Sequence, residues 1–270
     1  MRRTHFSYLL NILNIYALQL TQKGRIMKGV VLAGGLGTRL LPLTKISNKH
    51  LLPIFDKPMI YYPLQTLISA GIEDIMIVTG GNNAGDFLRL LGNGKQFGLK
   101  DISYTYQEGE GGIAEALDLA RNFADGEKTI IILGDNVIEK NIIREKEEFE
   151  KQKEGAKILI KKVPNPSSFG VPELDGEKVI GIEEKPEHPA TDCAVIGIYM
   201  YDSRVFDIIS TLERSDRGEL EITDVNNAYI KNGTMTCSVL DGWWIDAGSS
   251  PENLAEASQL VIKTGANNLT

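Results

Sequence analysis

The chain has 270 residues, with 29 basic and 36 acidic side chains and a formal net charge of −7. That balance excludes a bulk polyanion such as duplex nucleic acid as the partner, but a small phosphorylated ligand needs only a few local cations. Cys193 and Cys237 are the only cysteines and form neither a CxxC pair nor a zinc spacing, so they read as a reduced, cytosolic pair.

Residues 1–26 differ in character from the rest of the chain. Arg2 and Arg3 precede an apolar segment that Asn11 and Asn14 interrupt. No small-x-small cleavage site succeeds it, and the run is too short and too polar to span a bilayer. It is taken as an N-terminal extension without a catalytic role; a membrane-surface helix is the alternative. No membrane partner is expected.

From Met27 onward, short β-branched runs alternate with helical patterns. "KGVVLA" reads as a strand, and "KPMIYYPLQTLISAG" as a helix starting near Pro58 and stopped by Gly71. "IEDIMIVTG" is the next strand, "NNAGDFLRLLGNG" a short helix, "ISYTYQ" a strand, "GIAEALDLARNF" a helix and "KTIIILGD" a strand. "NIIREKEEFEKQKEG" is a charged helix and "AKILIKKV" a strand. After residue 165 the pattern becomes mixed: "EKVIGIEEKP", "CAVIGIYMYD" and "MTCSVLDGWW" are strands with fewer helices between them. "SPENLAEASQLVIKTG" closes the chain as a helix, with Ser250 as cap, Pro251 in its first turn and Gly265 after its end. The rhythm predicts an α/β fold, Rossmann-like, with three α/β/α layers, a predominantly parallel mixed central sheet and right-handed crossovers. Residues 27–265 read as a single domain.

The first strand runs directly into "GGLGTR". Glycines at such a turn let backbone N–H groups point inward without Cβ obstruction, which suits a phosphate. A P-loop fails, because Thr38 and Arg39 follow Gly37 where GK[ST] is required. A dinucleotide fingerprint also fails: its third glycine is missing, and Val78-Thr79-Gly80 stands where an acid should end the second strand. This disfavours a nicotinamide-dependent dehydrogenase. Arg39 and, ten residues on, Lys49 in "NKHLLP" add a guanidinium fork and a point charge beside the glycine turn.

The string from Met27 to Pro53 resembles the signature of the sugar-1-phosphate nucleotidyltransferases. The similarity extends to about residue 260, and "KPMIYYPL", "LGDN", "FGV", "EEKP", "RGELEITD" and "WWIDAG" look like the blocks of the glucose-1-phosphate thymidylyltransferases in that family. The resemblance implies the nucleotide-diphospho-sugar transferase fold, with residues 27–140 mainly nucleotide-binding and 141–265 mainly sugar-binding. It implies nucleotide contacts from Leu32, Gly34, Gly35, Gly37, Thr38 and Arg39, and base contacts from Gln107 and Gly112. The block around Glu110-Gly111-Gly112 departs from the proline-aspartate-glycine common in the family. Gly170, Glu184, Lys185 and Tyr199 are implied for the sugar phosphate. Many relatives have threonine where this chain has Ile196, which implies a missing hydrogen bond on the sugar side. Asp135 and Asp246 are implied as a pair holding Mg²⁺, and Arg39, Lys49, Asp135 and Lys185 as the catalytic set.

The implied reaction joins deoxythymidine triphosphate (dTTP) and glucose-1-phosphate, releasing pyrophosphate. The same chemistry with UTP or another sugar phosphate stays open, as does a catalytically silent regulatory subunit with the same fold. Glu219 reads as a phosphate-site or sugar-site group, and Glu221 and Asp224 as caps of a following helix. Trp243 and Trp244 read as core or site wall. His5, His50 and His188 are scattered and suggest no zinc site. A homo-oligomer, dimer or tetramer, and a cytoplasmic location complete the expectation.

Overall fold

The computed structural model describes residues 27–269. The expected N-terminal extension, 1–26, lies outside them. The first half alternates as the sequence pattern demands. Strand β1 (Lys28–Ala33) is followed by the short hairpin β2 (Pro53–Ile54) and β3 (Lys57–Pro58), helix α1 (Tyr61–Ser69), β4 (Asp74–Gly80), α2 (Ala84–Leu91) and β5 (Asp101–Gln107). Helices α3 (Ile113–Asp118) and α4 (Arg121–Ala124) lead to β6 (Thr129–Leu133), β7 (Asn136–Ile138) and α5 (Ile143–Lys151). The second half contains β8 (Ala156–Lys162), the hairpin β9 (Gly170–Asp175) and β10 (Lys178–Glu184), and β11 (Cys193–Tyr201). Then come helices α6 (Val205–Ile209) and α7 (Ile222–Lys231), strands β12 (Met235–Val239) and β13 (Trp244–Asp246), and helix α8 (Pro251–Thr264).

Seven strands form one sheet in the order β12-β8-β11-β6-β1-β4-β5. All neighbours pair in parallel except β11, which is antiparallel to both β6 and β8. The sheet is therefore predominantly parallel and mixed, as expected. Side chains alternate across it. Val30 and Leu32 of β1 and Ile131 of β6 join a core with α3, α6 and α7, through Leu117, Phe206 and Val225. Val31, Ala33, Ile130 and Ile132 point the other way, into a core with α1, α2 and α5, through Leu64, Phe87 and Phe149. Helices on both faces explain why these strands read as unbroken apolar runs.

Local departures have local causes. Helix α1 begins at Tyr61 rather than near Pro58, because Pro58 pairs with Pro53 in the β2–β3 hairpin and the Ile60 N–H donates to the His50 carbonyl at 2.8 Å. The single helix expected over "GIAEALDLARNF" is two, because Ala120 N–H bonds back to Leu117 O at 2.9 Å and tightens the turn after α3. Helix α8 matches its expected caps: Ser250 Oγ accepts from the Asn253 N–H at 3.1 Å, and Gly265 follows its end.

Candidate active site

From β1 the sheet grows outward through β4 to β5, whereas β6 lies on β1's other side. A crevice opens at the carboxyl ends of two parallel strands whose connections diverge in this way. Gly34 and Gly35 follow β1 there, and Asp135 follows β6. The Gly134 N–H donates to the Leu32 carbonyl at 2.8 Å, which joins the two strand ends. Lys49 arrives from a 3₁₀ turn, Lys49–Leu51, capped by the Asn48 side chain on the His50 N–H at 2.9 Å. The turn buries Lys49, which is 9% exposed, and Asp135 is 6% exposed. Lys49 Nζ donates to Asp135 Oδ2 at 2.5 Å.

Burial works against charge on both partners, but their mutual attraction wins. Burial alone would lower the Lys49 pKa; the Asp135 carboxylate lifts it above its ordinary 10.5. Burial alone would raise Asp135; Lys49, His50 and a 3.1 Å hydrogen bond from Asn136 Nδ2 hold it well below 3.8. His50 itself is pushed down to about 3 by burial and by the Lys49 ammonium, so it is neutral.

The second carboxylate is delivered by strand pairing. β13 runs antiparallel to β7 with Asp246 opposite Asn136, and the Ala247 N–H donates to the Asp135 carbonyl at 2.9 Å. Asp246 and Asp135 are thus brought side by side although 111 positions separate them in the chain. Burial first, and then the Asp135 charge, push the Asp246 carboxyl up to about 7. Two acids that raise each other's energy in this way are a donor set that a divalent cation relieves. No group of three or more His, Cys, Asp or Glu side chains able to hold a metal occurs among the described residues. Two adjacent carboxylates are a donor set that suits a hard divalent cation such as Mg²⁺, which takes one or two carboxylates and completes its shell with water and substrate phosphate. Gly248 packs on this cluster: a Cβ there would stand 2.9 Å from Lys49 Nζ.

At the end of β5, Gln107 Nε2 donates to the Gly112 carbonyl at 3.1 Å and to Glu115 Oε1 at 3.3 Å. Gly112 has φ +95°, and a Cβ on it would lie 2.5 Å from the Leu220 carbonyl oxygen. Only glycine fits that contact. Leu220 N–H donates to Gly111 O at 2.9 Å and Ala114 N–H to Leu220 O at 3.2 Å, so the "RGELEITD" block braces this loop.

The second half supplies an opposing wall. Gly170 pairs with Glu184 at the open end of the β9–β10 hairpin. Glu184 Oε2 accepts from Thr223 Oγ1 at 2.7 Å. Lys185 sits in left-handed backbone, φ +48°, held by its N–H to Phe169 O at 3.0 Å. Such a conformation in a non-glycine residue marks a position fixed by its surroundings.

One cleft of about 1000 Å³ gathers these groups. Leu32, Gly34, Gly35, Arg39 and Lys49 line it from the first block, Gln107 and Gly112 from the second, and Asp135 and Asp246 from the paired strands. Gly170, Glu184, Lys185 and Tyr199 line it from the second half. Gly37 and Thr38 do not. Gly37 turns the loop at φ +69°, its carbonyl taken by Thr44 Oγ1 at 2.7 Å, and Thr38 opens the following 3₁₀ turn. Ile196 is fully buried in the core with α1, α2 and α5. Alternation along β11 sends Val195, Gly197 and Tyr199 to the cleft, so Ile196 faces away from it.

Two cleft residues, Arg217 and Asn136, are given no role by the sequence pattern. Arg217 lines the cleft and pairs bidentately with Glu221, at 2.9 and 2.8 Å, close to Glu184 and Glu219. Glu221 is thereby drawn away from capping: it holds the N-cap position of α7 without a side-chain cap bond. Asn136 Oδ1 accepts from Gly197 N–H at 3.0 Å and Trp244 Nε1 at 2.6 Å, locking the wall in place. The signal that points to Asn136 is its place inside "LGDN", and Trp244 lines the cleft, one of the two readings its place in "WWIDAG" left open.

The sequence profile of the family described as nucleotidyl transferase matches residues 28–264. A glucose-1-phosphate thymidylyltransferase of Neisseria meningitidis is 41% identical over 239 residues, 87% of this chain and 82% of that protein. One from Actinoplanes is 42% identical over 226 residues, 83% of this chain and 74% of the other. Among solved structures, a Bacillus anthracis protein assigned as a glucose-1-phosphate thymidylyltransferase superposes with a TM-score of 0.84 at 48% identity, covering 88% of this chain and 96% of that one. A UDP-glucose pyrophosphorylase complexed with UDP-glucose superposes with a TM-score of 0.77 at 27% identity, covering 88% and 99%.

Proposed function

The chain belongs to the nucleotidyl transferase family and is a sugar-1-phosphate nucleotidyltransferase, and from that premise we propose that it transfers a thymidylyl group from dTTP to glucose-1-phosphate. The sugar-phosphate oxygen attacks the α-phosphorus of the triphosphate. A new bridging P–O bond forms, the bond between the α-phosphorus and the β-bridging oxygen breaks, and pyrophosphate leaves with that electron pair.

The observation that carries this reading is the single cleft lined by both sequence blocks, the buried Lys49–Asp135 pair included. A phosphate monoester is already mostly dianionic near neutral pH, its second pKa being about 6. The nucleophile needs no general base, and His50, buried with its Nδ1 held 2.7 Å from Asn48 Oδ1, is given no such role. The barrier is repulsion between two anions. Arg39 and the Gly34–Gly35 amides take the triphosphate, Lys49 the α-phosphate or pyrophosphate, and Lys185 and Arg217 the incoming phosphate. Asp135 and Asp246 would hold Mg²⁺, which when bound spreads the charge on the α-phosphoryl and the leaving group. Positioning and charge neutralisation carry the rate. Residues 27–140 then serve mainly the nucleotide and 141–265 mainly the sugar, in one catalytic unit.

Uridylyl transfer is the second reading, favoured by the likeness to the UDP-glucose complex. A panel of dTTP, UTP, dCTP and dATP, each with glucose-1-phosphate and Mg²⁺ and read by pyrophosphate release, separates the two. Fastest turnover with dTTP supports the proposal; fastest turnover with UTP replaces it; no release with any nucleotide rejects transfer.

A further inference from the structure

We infer that Glu115, clamped by Arg214, is a positioning residue that fixes the amide of Gln107 so that only its carbonyl oxygen is offered to the base, selecting bases that present an N–H at that edge. This rests on the reading of the cleft as a nucleotide site, and adds to it the element that decides which edge the site accepts.

A glutamine amide has one acceptor oxygen and two donor hydrogens. In isolation it could turn either end to a ligand. Here the turn is settled by its neighbours. Gln107 Nε2 faces the Gly112 carbonyl at 3.1 Å and Glu115 Oε1 at 3.3 Å. Both are acceptors without a hydrogen to give, so the nitrogen must lie on that side and both of its hydrogens are engaged. The oxygen points the other way, 2.9 Å from where a Cβ on Gly34 would stand, and Gln107 lines the cleft. No described group donates a hydrogen bond to Oε1.

Glu115 can do this only while it is ionised and held still. Arg214 Nη2 donates to its other oxygen at 2.5 Å, and Arg214 Nη1 donates to the Gly218 carbonyl at 2.7 Å, which ties the guanidinium to the loop before α7. Neither Glu115 nor Arg214 lines the cleft, so their effect on a ligand passes through Gln107. Thymine and uracil carry an imide N–H that the free oxygen accepts. Cytosine carries a lone pair at the same ring position, and two acceptors would face each other.

The test is calorimetric binding of dTTP and dCTP with Mg²⁺, without sugar phosphate, to wild type, Glu115→Leu, Glu115→Gln and Arg214→Met. Wild type should prefer dTTP. Glu115→Leu leaves the Gly112 carbonyl as the one acceptor holding the amide nitrogen, loosens its orientation, and should shrink the dTTP-to-dCTP affinity ratio by up to about 10- to 100-fold, the range expected for one mismatched buried hydrogen bond. Glu115→Gln keeps an acceptor for Nε2 and should retain most of the ratio. Arg214→Met, a change at the surface, should lower it in the same direction even where Glu115→Leu fails to fold. A merely structural contact would lower the melting temperature and leave the ratio alone. An unchanged ratio in Arg214→Met and Glu115→Leu overturns the inference while the nucleotide site stands. Wild type that binds neither nucleotide overturns the site reading itself, and the inference with it.

Discussion

Lys49 Nζ lies 2.5 Å from Asp135 Oδ2, both side chains being almost fully buried where the glycine turn meets the end of β6. The family resemblance makes one a phosphate cation and the other a metal ligand. The structure makes them partners as well, so each holds the other charged inside the protein. On the proposed roles folding and chemistry share this contact, which sets what substitutions here should do.

Lys49→Met removes the counter-charge from a buried carboxylate beside a second acid. Loss of one partner from such a pair costs about 3–5 kcal/mol. Denaturant unfolding should show a loss of that order, and turnover should fall with it. Lys49→Met combined with Asp135→Asn should regain most of the stability and none of the turnover. A single variant as stable as wild type would show the pair to be dispensable for folding.

Asp246 gives the site a pH signature. Its carboxyl sits at about 7 in the folded chain against 3.8 as a free side chain. Between those values the folded state holds a proton that the unfolded chain releases, so this group's contribution to stability falls as pH rises and levels off above the upper value. His50, lowered to about 3 from 6.5, slopes the opposite way and is common to both proteins compared. Asp246→Asn removes only the first slope. Without divalent cations, the variant's melting temperature relative to wild type should climb between about pH 4 and about pH 7. A difference that stays constant across that range would contradict an Asp246 carboxyl raised by burial and by the Asp135 charge.

Gly248→Ala places a methyl group 2.9 Å from Lys49 Nζ and 2.9 Å from Asp135 Cβ. Overpacking of this kind costs about 1–3 kcal/mol. Because the displaced groups are the proposed cation and metal ligand, Mg²⁺ affinity and turnover should drop together. Retention of both would mean that the cluster tolerates displacement.

Lys185→Gly separates stability from chemistry at a strained position. The left-handed backbone at Lys185 costs about 1 kcal/mol in a residue with a side chain, and glycine's greater freedom when unfolded offsets a similar amount. Stability should stay within about 1 kcal/mol of wild type, while turnover falls about 100-fold or more through loss of a fixed cation. Near-normal turnover would remove Lys185 from the proposed phosphate contacts.

The alternation of β-branched runs and helical patterns made the parallel sheet readable, because each strand buried on both faces is apolar throughout and each crossover helix carries its own end signals. The reversal of β11 was not readable: its run is as apolar as that of β6, and strand direction is set by partners far along the chain. The same limit explains Ile196, whose place in a motif said nothing about which face of β11 it occupies. Residues on the first glycine turn were legible because backbone chemistry and order are local there. Arg217 was not, because its pairing with Glu221 looks like an ordinary helical charge contact until Glu184 and Glu219 are seen beside it. Nor could the 111-residue separation of Asp135 and Asp246 be closed without the β7–β13 register.

In the proposed reaction, fixed cations hold two anionic reactants in line for attack at the α-phosphorus. The direct measurement uses glucose-1-phosphate carrying ¹⁸O in its non-bridging phosphate oxygens, with dTTP and Mg²⁺, followed by ³¹P NMR. The expected product is a sugar nucleotide with label in the bridge between its two phosphorus atoms, with unlabelled pyrophosphate in equal amount. Label recovered in pyrophosphate, or no sugar nucleotide from a folded, nucleotide-binding protein, would contradict it.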